Sequence, residues 1–163
     1  MTEALVREET VEDRQLAEYA LRQQLGFKLS RTSRLMQQRL EAVLAPQGLT
    51  RLTWCVLSSI GLEGISTPSG IADNLGVTRP MLSRLIKAMS RDGLIEITLD
   101  PDDGRNRQLR LTAAGRSKLM ACKPLVQDNN THFSRKLTAA QMQALHELVD
   151  LLIDGETPYL DSL

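Results

Sequence analysis

The sequence has few of the residues on which catalytic and metal sites depend. It contains two cysteines, Cys55 and Cys122, and two histidines, His132 and His146. The cysteines lack the close spacing of structural zinc sites, and neither histidine lies near a motif for a nucleophile. No glycine-rich phosphate loop follows a predicted strand. We therefore expect no metal, no cofactor and no enzymatic activity, and we interpret both cysteines as buried, inert thiols.

Aromatic residues and net charge are also scarce. Phe, Trp and Tyr make up 3% of the 163 residues, which argues against a surface that stacks on single-stranded nucleic acid. The formal net charge is zero, so a nucleic-acid partner has to be argued from local clusters of charge. No apolar run approaches membrane-spanning length, and the first residues are acidic rather than typical of a leader. With 42% hydrophobic and 25% charged residues, we expect a globular, cytoplasmic protein without a membrane partner.

The sequence does contain a regular succession of helical patterns. A polar arm over residues 1–12 precedes a long helix that ends at Leu44, before a proline and a glycine. A second, largely apolar helix is predicted over residues 51–61, with Thr50 as its N-cap. The loop that follows has room for a short strand at residues 65–66.

Between residues 67 and 112 the pattern predicts two short helices and a two-stranded hairpin with a charged tip. Thr67 and Thr78 are the expected N-caps, and a glycine closes each helix. The predicted elements are a third helix to Leu75, a fourth helix to Asp92, and strands over residues 94–99 and 107–111. This order of elements is that of a winged helix-turn-helix.

The remainder of the chain is helical again. Thr112 caps a fifth helix in which Pro124 is expected to cause a kink or a restart, and the pattern continues to about Leu137. Thr138 and Gln141 form a capping-box match that opens a last helix. Because this last helix is apolar on more than one face, we expect it to pack within the subunit and across an interface with a second copy.

The fourth predicted helix has a basic face. Its apolar residues, from Leu82 to Met89, recur at helical spacing and form one stripe. Between Arg79 and Arg91 there are four basic residues and no acidic one. A solvated face is the commoner fate of such a run, but a helix of this design fits the major groove of B-DNA. The uninterrupted positive charge favours the DNA interpretation.

The residue types on this helix suggest particular contacts. Arg79 and Arg84 suit bidentate bonds to guanine or phosphate, and Lys87 suits a phosphate. Pro80 and Met81 suit apolar contact with a thymine methyl group.

The hairpin tip provides the second signal. Arg105 and Arg107 flank its centre, where they are placed to reach a minor groove, and Asp103 is placed to orient Arg105 or Arg84 by a charge-assisted hydrogen bond. A solvated turn is the alternative, since hairpin turns often contain Asp and Gly.

The motifs of this region occur in a specific order. A helix is followed by "GLI" at residues 93–95, a wing of Asp-Pro-x-Asp-x-Arg type at 100–105, and "LTxxG" at 111–115. From Leu49 through Leu119 the chain resembles the MarR family of bacterial transcriptional regulators. The resemblance implies a homodimer with a helical dimerisation region built from both chain ends, bound to a near-palindromic operator. It also implies that Asp103, Arg105 and Arg84 belong to the wing and recognition-helix machinery.

The sequence departs from that family at two points. Gly70 stands where members often carry a glutamate that completes a capping box, so the third helix is expected to be slightly weaker. The reactive cysteine that redox-sensing relatives carry near the start of the first helix is absent.

The resemblance also implies a ligand class. Family members often respond to small phenolic or aromatic carboxylate ligands, held between the dimerisation region and the DNA-binding lobe. In this chain Arg51, Trp54 and His132 are the candidates for such contacts. The apolar character of its helix favours a core role for Trp54.

The predicted fold is mainly α with a small β-hairpin wing. We divide it into an arm and dimerisation helix (1–48), a winged helix-turn-helix (49–112) and C-terminal dimerisation helices (113–163). The predicted function is that of a homodimeric transcriptional repressor that binds double-stranded DNA, with a small-molecule effector. The alternative is a protein-interaction module, which would need an apolar or acidic outer face on the fourth helix. The predicted DNA contacts are Thr78, Arg79, Pro80, Met81, Ser83, Arg84, Lys87, Asp103, Arg105 and Arg107.

Overall fold

A computed structural model describes residues 20–99 and 107–156 of the chain. It confirms a mainly α-helical fold with a two-stranded antiparallel hairpin. The elements are α1 (Leu25–Leu44), α2 (Arg51–Gly61), α3 (Pro68–Leu75), α4 (Arg79–Arg91), β1 (Ile95–Leu99), β2 (Arg107–Leu111), α5 (Ala113–Ser134) and α6 (Ala139–Ile153). Among the described helices, none is long and apolar enough to cross a membrane. The predicted arm over residues 1–12 lies outside the described residues.

The first long helix begins later than predicted. A single 3-10 turn at Leu21–Gln23 is followed by an extended Gln24, and α1 starts at Leu25. The helix ends at Leu44 as predicted, and Gly48 adopts a left-handed conformation with a φ of 69°. The chain divides within α1 into two compact units, Met1–Met36 and Gln37–Leu163.

The hydrophobic core lies in the second unit. It draws side chains from the end of α1, from α2 to α4, from the hairpin and from α5. Its residues with no exposed surface are Leu44, Val56, Leu57, Ile71, Ala72, Val77, Leu82 and Cys122. The core therefore takes in residues on both sides of the 49–112 segment, and the three-part division of the chain stays a prediction.

Threonine caps start most of the helices, as predicted. Thr50 forms a capping box with Thr53, and Thr138 forms one with Gln141. The Thr67 hydroxyl accepts a hydrogen bond from the Gly70 amide at 3.2 Å. Thr78 is the exception, because its side chain makes no cap hydrogen bond. Pro80 removes the N–H at one of the two positions from which an N-cap side chain normally accepts a hydrogen bond.

Helix α5 passes through Pro124 without the restart that was one of the two expected outcomes there. It runs without interruption to Ser134, so it also ends before Leu137. A proline inside a helix costs about 3 kcal/mol, because it removes one backbone hydrogen bond and crowds the preceding turn. Cys122 on one side of the proline is buried, and Val126 on the other packs against the core. Tertiary packing on both sides thus holds the helix together across Pro124.

The hairpin strands pair in antiparallel register, with Ile97 opposite Leu109. The extra strand considered at residues 65–66 does not form within the described part of the chain. A single backbone bond stands in its place, in which the Leu109 N–H donates to the Ser66 carbonyl oxygen at 2.7 Å. One bond is too few for a third strand of the wing.

A small joint ties the end of α4 to the start of α5. The Thr112 hydroxyl donates to the Gly93 carbonyl oxygen at 2.6 Å, and the same oxygen of Thr112 accepts from the Gly115 amide at 3.0 Å. The Thr112 amide donates to the Leu94 carbonyl oxygen at 3.1 Å. A Cβ atom at Gly115 would overlap that carbonyl oxygen. The "GLI" and "LTxxG" motifs are therefore two halves of one packing contact.

Helix α6 contrasts with the other elements. It contains no buried residue, and Met142 alone of its side chains is half-buried. The prediction that α6 packs within the subunit is therefore wrong for the described chain. Six large apolar side chains of α6 are exposed, namely Leu145, Leu148, Val149, Leu151, Leu152 and Ile153.

Candidate nucleic-acid interface

The inner face of α4 packs against the hydrophobic core. Leu82, Ile86 and Met89 are at most 5% exposed, and Leu85 is half-buried against the same core. The turn before α4 is closed by Gly76, whose φ is 63°. The predicted apolar stripe is therefore confirmed, and it determines which residues α4 presents to solvent.

The outer face of α4 is basic and exposed. Its exposed residues are Arg79, Pro80, Ser83, Arg84, Lys87 and Arg91. Four of these six carry a positive charge, and no acidic residue lies between positions 79 and 91. The alternative of a protein-docking face needs apolar or acidic residues at these positions, so the composition of this face is against it.

Two of the predicted contact residues are less accessible. Thr78 is half-buried, and Met81 is half-buried with its side chain against the hydrophobic core. Of the two residues predicted to touch a thymine methyl group, Pro80 is thus the more accessible. Because the Thr78 side chain makes no cap bond, it leaves the first N–H groups of α4 unclaimed, and such groups attract anions.

A cavity of about 210 Å³ joins α4 to the hairpin. Arg79, Ser83 and Lys87 line it from α4, and Arg107 lines it from the first position of β2. The structure therefore brings Arg107 beside the basic helix, as predicted. Asp103 and Arg105 lie in the segment outside the described residues, so their predicted roles stay predictions.

Several residues at this surface are not among the DNA contacts predicted from the sequence. Pro68 and Ser69, in the first turn of α3, and Ile97 on β1 line the same cavity. Ile97 also borders a shallow depression next to Arg84 and Arg91. The alternation of Ile95, Ile97 and Leu99 was the available signal for Ile97, because alternate residues of a strand share one face. The position of Pro68 and Ser69 depends on how α3 packs beside α4.

The candidate effector residues are not alike in their surroundings. Trp54 is 7% exposed and belongs to the core, as its apolar helix indicated. Arg51 is half-buried at the first position of α2, and His132 is half-buried near the end of α5. Desolvation lowers the pKa of His132, and the positive charges of Arg39, Lys136 and Arg135 lower it further. Arg39 itself forms an ion pair with Asp128 at 3.2 Å.

The two cysteines are packed to different degrees. Cys122 is buried in the core, as predicted, whereas Cys55 is only half-buried. Burial raises the pKa of both thiols, against the opposing charge of Arg51 at Cys55 and of Lys118 at Cys122. A raised pKa reduces the thiolate fraction and with it the reactivity.

Comparison with known proteins agrees with this geometry. The sequence profile of the MarR family matches residues 47–106, which contain α2 to α4 and β1. The HTH-type transcriptional repressor IacR of Pseudomonas putida is 25% identical over 126 residues, which cover 77% of this chain and 75% of IacR. A crystal structure of an Escherichia coli MarR mutant complexed with operator DNA superposes with a TM-score of 0.72 at 26% identity, covering 79% of this chain and 93% of that one. Together these matches support a winged-helix regulator of the MarR family.

A further solved structure shares the fold at lower identity. The structure of CouR from Rhodococcus jostii RHA1 bound to p-coumaroyl-CoA is 22% identical with a TM-score of 0.76. It covers 84% of this chain and 96% of its own. The winged helix-turn-helix fold is thus confirmed, and the matching family profile and relatives support a transcriptional regulator of the MarR type.

The family departure at Gly70 is visible in the structure. The Thr67 cap bond to the Gly70 amide forms, but glycine has no side chain to return the second bond of a capping box. A Cβ at this position would lie 2.9 Å from the Thr67 hydroxyl oxygen and 3.0 Å from the Ile65 side chain. At the start of α3, the Thr67 and Ile65 side chains therefore occupy the space that a side chain at position 70 would need.

Proposed function

We propose that this protein is a homodimeric repressor that binds a near-palindromic operator in double-stranded DNA. The observation that carries the proposal is the exposed basic face of α4, which shares a cavity with Arg107 of the hairpin. A helix with this arrangement offers base and phosphate contacts in a major groove, while the hairpin lies at the edge of the adjoining minor groove.

The residues of this face would have distinct roles. Arg84, in the second turn, suits a bidentate contact with guanine, and Arg79 suits guanine or phosphate. Lys87 and Arg107 would neutralise phosphates, and Ser83 and Pro80 would meet base edges. Thr78 and Met81 are half-buried and would therefore contribute less to DNA binding than the exposed residues of this face. At the wing tip, Arg105 would enter the minor groove with Asp103 orienting it or Arg84.

Exposed apolar surface at the chain ends supports the homodimer. No residue of α6 is buried, and its side chains include Leu151 at 71% and Ile153 at 62% exposure. In the first unit Leu25 and Leu29 are 55% and 43% exposed. Groups of exposed apolar side chains on a helix are typical of a protein–protein interface. A two-fold dimer would present two α4 helices to successive major grooves, about 34–36 Å apart.

We infer that binding of a small phenolic or aromatic acid causes the protein to dissociate from its operator. CouR, which has the same fold, was crystallised with p-coumaroyl-CoA. In this chain Arg51 and His132 are the polar candidates for such a ligand. Trp54, with 7% of its surface exposed, would contribute at most one edge of its ring.

Binding to duplex DNA tests the proposal most directly. Genomic fragments that the protein retains define the operator, and fluorescence anisotropy then gives Kd for the wild type and for Arg84→Ala. We expect the substitution to weaken specific binding by about 1–3 kcal/mol, because it removes a bidentate contact. Arg116→Ala is the matched control, since Arg116 is an exposed cation on α5 rather than on the basic face.

The salt dependence of binding is the second readout. Log K should fall by about 0.9 for each neutralised phosphate as log salt rises, and Lys87→Ala should reduce the slope by about one contact. If random-sequence duplexes fail to bind even at low salt, the proposal is overturned in favour of a protein-interaction module. Equal effects of Arg84→Ala and Arg116→Ala would overturn the assignment of the α4 face.

A further inference from the structure

Asn74, in the last turn of α3, forms two hydrogen bonds with the end of α2 and the loop behind it. Its side-chain amide donates to the Ser59 hydroxyl at 3.1 Å and to the Glu63 carboxylate at 2.6 Å. Ser59 lies inside α2 with no exposed surface, whereas Glu63 is exposed in the loop that follows this helix. One amide group therefore joins α3 both to a buried oxygen and to an exposed oxygen of its neighbour.

The Ser59 hydroxyl is satisfied by this contact. A buried polar group that loses its partner costs more free energy than an exposed one, because water cannot replace the bond. The Ser59 carbonyl oxygen also accepts a hydrogen bond from the Ile65 N–H at 2.9 Å, which shapes the loop between α2 and α3. The position of Asn74 relative to α2 is therefore set by a bond that water cannot substitute.

The end of α3 continues directly into the turn before α4. The Gly76 amide donates to the Asp73 carbonyl oxygen at 3.3 Å, and the Val77 amide donates to the Ala72 carbonyl oxygen at 3.0 Å. Ala72 and Val77 have no exposed surface. Because these bonds close a tight turn, a displacement of the end of α3 is passed on to Arg79, the first residue of α4.

The start of α3 restrains the helix less. Its cap is one hydrogen bond from the Gly70 amide to the Thr67 hydroxyl, without the second bond of a capping box. Glycine inside a helix also lowers the intrinsic stability of that helix. Helix α3 has only eight residues, so its orientation depends on tertiary contacts such as those of Asn74 at its far end.

We propose that Asn74 is a positioning residue for DNA binding, which sets the angle at which α4 enters the major groove. It acts by holding α3 and the following turn against α2. This inference rests on the proposed binding of DNA by α4 and adds a residue outside the basic face of that helix. Contacts with base edges need exact placement, whereas attraction to phosphates is independent of sequence. A shift of α4 should therefore reduce specific binding more than non-specific binding.

Two other roles of Asn74 predict different results. If Asn74 only stabilises the fold, its loss lowers the folded fraction, and specific and non-specific binding fall by the same factor. Asn74 is itself exposed, so a direct bond from its amide to a DNA phosphate is the second rival. In that case a carboxylate at position 74 abolishes the contact, whatever residue occupies position 63.

The test uses full-length variants. Asn74→Leu removes both hydrogen bonds at similar side-chain volume, and Asn74→Asp places a carboxylate against that of Glu63. Adding Glu63→Gln to Asn74→Asp restores the network with donor and acceptor exchanged, because the amide is then at position 63 and the Ser59 hydroxyl is also able to donate. Gln143→Ala is the matched control, since it removes a bond of the same kind, from an amide to the Glu147 carboxylate at 2.8 Å on α6.

Fluorescence anisotropy gives Kd for the genomic duplex that the wild type retains and for a random-sequence duplex of equal length. We expect Asn74→Leu and Asn74→Asp each to lower the ratio of specific to non-specific affinity by ~10-fold, the order of one lost base contact. The double variant should recover most of that ratio. Gln143→Ala should leave it within ~2-fold of the wild type, as for an exposed site away from the lobe.

The salt dependence of binding to the random duplex is a second readout. Its slope should be the same for all variants, because the cations of α4 remain in place. Circular dichroism and urea denaturation measure the folded fraction of each variant. If Asn74→Leu fails to fold, the comparison of Asn74→Asp with the double variant still decides the question.

Three results would overturn the inference. Equal losses of specific and non-specific affinity would show that Asn74 contributes to stability alone. A double variant that does not recover the ratio would show that the bonds to α2 do not position α4. An unchanged ratio in both single variants would refute any role in specificity. A wild type that binds no duplex would instead refute the proposed function, so the two failures are distinguishable.

Discussion

Helix α6 has a larger apolar share than α4, and the apolar residues of the two helices have opposite surroundings. In α4 the apolar stripe is covered by the lobe, and its charged residues point to solvent. In α6 the apolar residues themselves are exposed, and no side chain is buried. A helix with only one apolar stripe is satisfied by one partner surface, whereas α6 is apolar on several sides.

This difference distinguishes the compact lobe formed by α2 to α5 and the hairpin from the surface proposed for pairing. The lobe has a core of its own, to which α2, α3, α4, the hairpin and α5 all contribute. We expect it to keep its fold without help from a second copy. In the proposed homodimer α6 would gain its stabilisation from the second copy, so its contribution should depend on protein concentration.

The largest effect is expected at the joint between α4 and α5. Gly115→Val would place side-chain atoms where the Leu94 carbonyl oxygen lies, so α5 and the hairpin would have to separate. We expect a loss of more than about 3 kcal/mol in the free energy of unfolding, measured by urea denaturation. Gly155→Val is a matched control outside the lobe, because open space surrounds Gly155 although its φ of 77° adds some strain. Comparable losses for the two variants would contradict the importance of the joint.

The next largest effect is expected from truncating a buried leucine of α4, in comparison with an exposed leucine of α6. Leu82 of α4 is fully buried and Leu148 of α6 is 59% exposed. Leu82→Ala should destabilise the lobe by about 2–5 kcal/mol and lower Tm at every protein concentration. Leu148→Ala should leave the dilute chain within about 0.5 kcal/mol of the wild type but flatten the rise of Tm with concentration.

Thermal melts at several protein concentrations separate these behaviours. A uniform drop in Tm for Leu148→Ala would mean that α6 is part of the lobe's own core. If the Tm of the wild type does not change with protein concentration, then α6 is not stabilised by a second copy and the proposed difference between α4 and α6 is wrong.

Much of this fold was predictable because its signals are local. An N-cap bond joins a short polar side chain to an amide two or three residues on, so Thr50, Thr67, Thr112 and Thr138 could be identified from the sequence. The inner stripe of α4 was equally accessible, because its period is a property of the helix alone.

The failures share a different cause. Continuity across Pro124 depends on packing against the core on both sides of that residue, which no local pattern reports. The exposure of α6 and the half-burial of Cys55 likewise depend on which surfaces are adjacent in the fold.

The residues of the candidate site also divide into those predicted by local sequence patterns and those placed there by tertiary packing. The cations of α4 follow from helical period, and Arg107 follows from its place at the start of β2. Pro68 and Ser69 enter the cavity only because α3 packs beside α4. The "LTxxG" motif was recognisable by resemblance, but the reason for its glycine is the Leu94 carbonyl oxygen, a contact that spans 21 residues of sequence.

The smallest expected effect on stability concerns two threonines at helix starts, one before α5 and one before α4. Thr112 caps α5 and also bonds the Gly93 carbonyl oxygen at 2.6 Å, whereas the side chain of Thr78 caps nothing. We expect Thr112→Ala to cost about 1–2 kcal/mol in urea denaturation, the upper part of the range for an N-cap. Thr78→Ala should cost less than about 0.5 kcal/mol, because no hydrogen bond is lost. If Thr78 instead contacts a phosphate, its substitution will weaken operator binding while leaving stability unchanged, and a stability loss equal to that of Thr112→Ala would show that Thr78 is a true cap.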